Sequence, residues 1–251
     1  MEVIQVDNYS AMSEKAARMI EEQICKNDRS ILGLATGSTP LGLYEKLIEG
    51  HKTCGVSYKN VQSINLDEYL GLDKNHPGSY HTFMYENLFK EIDISMEHVY
   101  IPNSKPLSAG EECQRYDQVI ERIGPIDLQI LGIGSNGHIG FNEPGSDPNS
   151  TTHVVELAAS TRKDNAHFFD SIEEVPTHAV TMGIKSILKS ARILVLASGK
   201  RKAEAVKRLL NKDLSESFPA SHLWNHEDVT LIVDTDAYKL VSQKGSEDLA
   251  R

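Results

Sequence analysis

Four short polar segments carry the residues able to do chemistry: Thr36-Gly37-Ser38-Thr39-Pro40, Asp67-Glu68-Tyr69, Gly134-Ser135-Asn136-Gly137-His138 and Ser198-Gly199-Lys200-Arg201-Lys202. The first is built like an anion loop. Gly37 lets the backbone approach a ligand, and Thr36, Ser38 and Thr39 offer hydroxyls. Pro40 suits the first turn of a following helix, whose N-terminus favours phosphate. The loop lacks the Lys and the spacing of a Walker motif, which sets aside a nucleotide triphosphatase. The alternative is a plain strand-to-helix turn capped by Thr39 or Ser38. In the second segment, a carboxylate at a strand end can act as general base on a proton beside a carbonyl. The alternative there is a cap or a solvated pair.

The third segment matches G-x-G-x-x-G through Gly132, Gly134 and Gly137. The residues after it argue against a dinucleotide site. Such a motif opens a helix, whereas this one runs into Gly140, Asn142, Pro144, Gly145 and Pro148. His138 and Glu143 are instead close enough within a turn to pair, and a His oriented by a carboxylate shuttles protons near neutral pH. The alternative is a satisfied His in a Gly-rich loop. The fourth segment sets three cations at a helix start, where the macrodipole disfavours them. Either a bound anion offsets the repulsion or the cations are fully solvated. No H-E-x-x-H pattern occurs and Cys25, Cys54 and Cys113 are isolated, so no metal site is expected. No G-x-S-x-G elbow supports a Ser hydrolase.

All four segments follow apolar runs, so the elements must bring them together. The apolar pattern predicts strands at 31–35, 61–66, 98–101, 126–133, 178–182, 193–197 and 229–233. It predicts helices from Ser10 (with Ser10 as N-cap), over 41–48, 80–89, 109–123, 184–188 and 200–210. This alternation predicts an α/β fold: a Rossmann-like open, mostly parallel sheet with helices on both faces. In such a sheet the carboxyl ends of the strands form the ligand crevice. The turn-rich stretch after Gly145 suggests an active-site flap around 145–175 on a single domain spanning 1–251. The polar tail after Tyr238 is expected to fray.

Composition bounds the rest. The 251 residues carry a net charge of −10, with 39% hydrophobic residues, which excludes intrinsic disorder. No apolar run reaches the roughly 18–20 residues that span a bilayer, and no secretory signal is visible. With widely spaced, unpaired Cys, the expectation is a cytoplasmic protein that touches neither membrane nor nucleic acid. Yet residues 185–212 are +8 while the remainder is −18. A basic island in an acidic chain suits one small anion.

The chain resembles the glucosamine-6-phosphate deaminases. The resemblance rests on Leu34-Ala35-Thr36-Gly37-Ser38-Thr39-Pro40, Asn65-Leu66-Asp67-Glu68-Tyr69 and the long string from Gly132 to Pro144, with Val175-Pro176 and Ser198 to Ala203 in support. It implies conversion of glucosamine 6-phosphate to fructose 6-phosphate and ammonia, with no metal or organic cofactor. It further implies that His138, assisted by Glu143 and Asn136, opens the sugar ring. Asp67 then removes the C2 proton and returns one to C1. Thr36, Gly37, Ser38, Thr39 and Lys202 hold the phosphate, and Glu68 is structural.

Three departures from the family pattern bear on this. Asn136 stands where some members have Asp, leaving the charge on Glu143. His167 stands where members often have an Arg that reaches the phosphate, so phosphate affinity is expected to weaken as pH rises. The region of His153, Val155 and Glu156 lacks the basic patch of allosteric members. No activation by N-acetylglucosamine 6-phosphate is therefore expected, and a monomer or small homo-oligomer is favoured. The rival readings are a 6-phosphogluconolactonase-like hydrolase and a non-catalytic sugar-phosphate sensor. A lactonase has no C2 proton to remove, so Asp67→Asn separates it from a deaminase.

Overall fold

The computed structural model of the chain describes every residue except 159, 160, 164, 165, 167, 168, 170, 213 and 249–251. In chain order the main elements are β1 (Glu2–Val6), α1 (Tyr9–Lys26), β2 (Ile31–Leu34), α2 (Leu41–Cys54), β3 (Gln62–Asn65), β4 (Asp67–Tyr69), α3 (Tyr80–Asn87), β5 (Val99–Tyr100), α4 (Ala109–Ile123) and β6 (Leu128–Gly132). They continue with β7 (His153–Glu156), β8 (His178–Thr181), α5 (Ile184–Ile187), β9 (Ile193–Ala197), α6 (Ala203–Leu210), β10 (Val229–Asp234) and α7 (Thr235–Asp248).

Seven strands form one sheet in the order β1-β10-β9-β6-β2-β3-β5, and every pairing in it is parallel. A parallel sheet must be covered on both faces, because its strands bury side chains on each side. Leu32, Leu34, Ile130, Leu194, Leu196 and Ile232 face a layer made by α1, α2 and α3. Ile31, Ile64, Leu131, Val195, Leu231 and Val233 face the opposite layer, made by α4 to α7. The expected open α/β sheet is therefore what the chain forms.

Local differences have local causes. Asn8, not Ser10, caps α1, because its side chain accepts the Ala11 amide at 3.0 Å. Helix α2 runs on to Cys54 and stops where Gly55 adopts φ +74°, a left-handed conformation that ends helices. Helix α4 has the expected limits, set by the Ser108 cap and Gly124. The expected fraying after Tyr238 is overturned, since α7 continues to Asp248. Asp234 starts it by accepting the Ala237 amide at 2.8 Å, and Ala237, Tyr238 and Val241 pack on the core.

A second, antiparallel sheet of order β4-β8-β7 was not foreseen. The 178–182 strand belongs to it rather than to the parallel sheet. The chain crosses between the sheets at Leu66, whose N–H donates to the Leu34 carbonyl (3.1 Å) and whose carbonyl accepts the Met182 N–H (2.7 Å). Tyr69, Tyr80, Phe141, Leu157 and Ala179 form its own small core.

Candidate active site

The four polar segments follow β2, β3, β6 and β9, which stand side by side as β9-β6-β2-β3. Adjacent strands lie roughly 4.8 Å apart, so all four carboxyl ends fall within about 15 Å. The connections also reverse here: β2 leads outward to β3 and β5, while β6 leads the other way to β9 and β10. Such a reversal opens the crevice in which α/β sheets bind ligands.

In the first segment, Gly37 has φ +89° and nothing lies within 4 Å of where a Cβ would stand. The turn, not crowding, demands glycine. Pro40 sits at the cap position of α2, and neither Ser38 nor Thr39 caps the helix. Tyr9 does that work: its hydroxyl donates to the Ser38 carbonyl (3.0 Å) and accepts the Gly42 amide (2.8 Å). The loop is thus pinned from α1, and the hydroxyls of Ser38 and Thr39 are not consumed by capping. In the fourth segment, Asp234 plays the pinning part. It accepts Ser198 Oγ at 2.5 Å and the Gly199 amide at 3.1 Å. Lys200–Lys202 form one 3-10 turn, so Lys202 stands at the cap position of α6, which begins at Ala203. The cations do lie at a helix start.

Asp67 and Glu68 point to different jobs. Glu68 is fully buried and accepts four donors: the Tyr69 amide (2.8 Å) and Tyr80 amide (3.0 Å) on Oε1, the His81 amide (3.0 Å) and His81 Nδ1 (2.8 Å) on Oε2. It anchors the N-terminus of α3 to β4, the structural part expected of it. Asp67 is 5% exposed, yet no hydrogen bond from a described residue reaches its carboxyl. Burial, and then the charge of Glu68, push it up to about 8. A carboxyl so poised accepts protons near neutral pH.

The third segment stays irregular from Gly134 to β7, with no helix, which disposes of the dinucleotide reading. Asn136 organises it: Nδ2 donates to Glu143 Oε2 at 2.7 Å, and Oδ1 accepts the His138 amide at 3.1 Å. His138 Nδ1 lies 3.6 Å from Glu143 Oε1, an ion-pair distance that a small movement converts to a hydrogen bond. The ring lies over Gly134, where a Cβ would come within 2.4 Å of it. Burial raises the Glu143 carboxyl, but His138 and hydrogen bonds from Thr161 and Asn136 outweigh it and hold the group down at about 2. So one carboxyl is held charged beside an imidazole, and another is left reactive.

The two are joined through β8. Thr181, paired with Asp67 in the antiparallel sheet, accepts the Phe141 amide on its hydroxyl at 3.2 Å. Buried Asn142 donates to the carbonyls of Ile139 and Met182, each at 2.9 Å. Gly140, with φ +58°, lies against Asp67: a Cβ there would be 3.3 Å from Oδ2. Sequence reading missed Tyr9, Asn142, Thr181 and Asp234. Only Asn142, inside the long motif, was visible as part of a pattern.

His167 lies outside the described residues, as do several others of the flap expected at 145–175. His222 and His226 share H-x-x-x-H spacing, which the motif reading passed over. They carry no ligand set, since no three His, Cys, Asp or Glu side chains cluster among the described residues.

Fold and site together define a parallel α/β protein with a glycine turn before α2, a buried carboxyl and a His–Glu pair at the sheet's switch point. The chain belongs to the glucosamine-6-phosphate isomerase/6-phosphogluconolactonase family, whose model matches residues 6–232. It is 52% identical to the glucosamine-6-phosphate deaminase of Geobacillus sp. (strain WCH70) over 96% of each chain. It is 48% identical to glucosamine-6-phosphate deaminase 1 of Bacillus subtilis (strain 168), over 96% of this chain and 99% of that one. Among solved structures, a monomeric glucosamine-6-phosphate deaminase superposes with TM-score 0.94 at 48% identity, covering 96% of this chain and all of its own. The 6-phosphogluconolactonase of Trypanosoma cruzi, at 20% identity and TM-score 0.78, shares the fold. No described helix is long and apolar enough to cross a membrane.

Proposed function

We propose that the chain is a glucosamine-6-phosphate deaminase, converting glucosamine 6-phosphate and water to fructose 6-phosphate and ammonia. The observation that carries the chemistry is Asp67: a buried carboxyl that receives no hydrogen bond from a described residue, raised to about 8, in a site with the His138–Glu143–Asn136 group. Relatives of that activity at about half identity over nearly the whole chain support the substrate.

The phosphate lies at the N-terminus of α2, held by Thr36 to Thr39 and by Lys202 across the crevice. His138, oriented by Glu143, takes the proton of the anomeric hydroxyl and returns it to the ring oxygen, opening the ring to the C1 aldehyde. Asp67 removes the C2 proton while the substrate's ammonium group gives a proton to O1, leaving an enolamine, and Asp67 then delivers its proton to C1. The C2 iminium so formed adds water and releases ammonia. Asn136 holds Glu143 and the His138 amide in one arrangement, so a neutral amide suffices where an ionised Glu143 already faces the imidazole. His167 is a further phosphate contact in this reading, the chain acts in the cytoplasm as a monomer or small homo-oligomer, and N-acetylglucosamine 6-phosphate does not activate it.

Substituting Asp67 by Asn tests the assignment. Deamination should fall by at least about 100-fold, the scale of a lost general base. Hydrolysis of 6-phosphogluconolactone by the wild type, retained in the variant, would identify a lactonase instead.

A further inference from the structure

A cavity of about 560 Å³ lies between α3, β5 and α4. His81 lines it. The His81 ring is 30% exposed on that side and bonds fully buried Glu68 on the other, through Nδ1 at 2.8 Å. Glu68 is the chain neighbour of Asp67. The cavity, His81 and Glu68 are thus joined by a hydrogen bond, and Glu68 acts on the adjacent Asp67 through its charge.

We propose that His81 is a positioning residue for Asp67: by holding the second oxygen of Glu68, it sets how much of that carboxylate's charge reaches the base. This rests on the reading of Asp67 as the base. Glu68 accepts two backbone amides on Oε1 and one on Oε2, and His81 Nδ1 completes the set on Oε2. Its charge reaches Asp67 through a buried, low-dielectric path in which solvent screens little. Three of its four donors are backbone amides fixed by α3 and β4. His81 Nδ1 is the fourth, and the one donor a side-chain substitution removes.

Tyr44 on α2, Tyr69 on β4, Tyr80 on α3 and Tyr116 on α4 all sense the Asp67 charge, and burial raises each hydroxyl far above neutral pH. They stay uncharged while Asp67 titrates. In the cavity, His81 shares the walls with Lys74, Glu86 and Arg115. Lys90 pairs with Glu86, and Arg115 with Glu112.

Removing the His81 donor leaves the Glu68 charge less compensated, which must raise the Asp67 midpoint. Removing the charge, as in Glu68→Gln, must lower it. The Asp67 carboxyl can be followed by NMR after incorporation of carboxyl-labelled aspartate, with Asp67→Asn assigning the signal. In His81→Ala the midpoint should rise by about half a pH unit or more, and in Glu68→Gln it should fall by about one. His81→Asn, which presents an amide donor near the Nδ1 position, should restore the wild-type midpoint. The acid limb of kcat/KM for glucosamine 6-phosphate should move with it. An Asp67 midpoint unchanged in both His81→Ala and Glu68→Gln overturns the proposal. An inactive wild type would reject the deaminase reading, while the NMR titration would still decide the coupling.

Discussion

Replacing Asp67 by Asn should make the protein more stable as well as inactive, and the gain should grow with pH. The folded carboxyl sits at about 8 against an ordinary value of 3.8. A group raised on folding contributes stability that is fully present below its unfolded value and is lost as pH climbs through the folded one. At about 1.36 kcal/mol per unit, the buried carboxyl costs about 3 kcal/mol at pH 6 and about 6 kcal/mol at pH 9. Asn carries no charge, so its own unpaired amide costs the same at every pH. The gap between variant and wild type should therefore widen by about 2–3 kcal/mol between pH 6 and pH 9, which is roughly 5–10 °C in Tm for a chain of this size. Thermal melts of both proteins at the two pH values read this directly. Groups that titrate alike in both proteins cancel. A Tm gap that is the same at pH 6 and pH 9 would refute the raised carboxyl and the base assignment built on it.

Other substitutions separate the parts of the site. Glu143→Gln should lower kcat by about 100-fold, since His138 loses its oriented charge; because Glu143 is held at about 2, the wild-type activity profile should show no limb from it above about pH 4. Gly37→Ala and Gly137→Ala both force an L-residue to positive φ, costing about 1–2 kcal/mol, but only at Gly137 would the new Cβ meet a side chain, Phe218 at 2.1 Å. Denaturant melts should find Gly137→Ala clearly the less stable, and Gly37→Ala should mainly raise KM. Lys202→Ala should raise KM for the sugar phosphate about tenfold with little change in fold stability, and added salt should erase much of the difference.

Much of this was legible because the chemistry and the sheet speak through different signals. The buried strands after Ile31, Leu128 and Ile193 read as apolar runs. The polar clusters directly behind them announced the crevice, and Asp67, Asn136, His138 and Glu143 were all on view before their geometry was. What stayed hidden were parts with no local signature. Strands β4 and β7 are short and polar, and they are strands only because β8 lies between them. Helix α7 looked like a tail because its sequence is mostly polar, although Ala237, Tyr238 and Val241 meet the core. Tyr9 and Asp234 pin the loops after β2 and β9 from elements far away in sequence. The pairing of His81 with Glu68 spans 13 residues, and no spacing rule would suggest it.

The reaction itself can be measured in a single assay. Purified protein is given glucosamine 6-phosphate in the presence of a chelator, and ammonia and fructose 6-phosphate are measured together. Both products should accumulate in equal amounts, at a rate the chelator leaves unchanged. No ammonia, or a rate that the chelator abolishes, would contradict it.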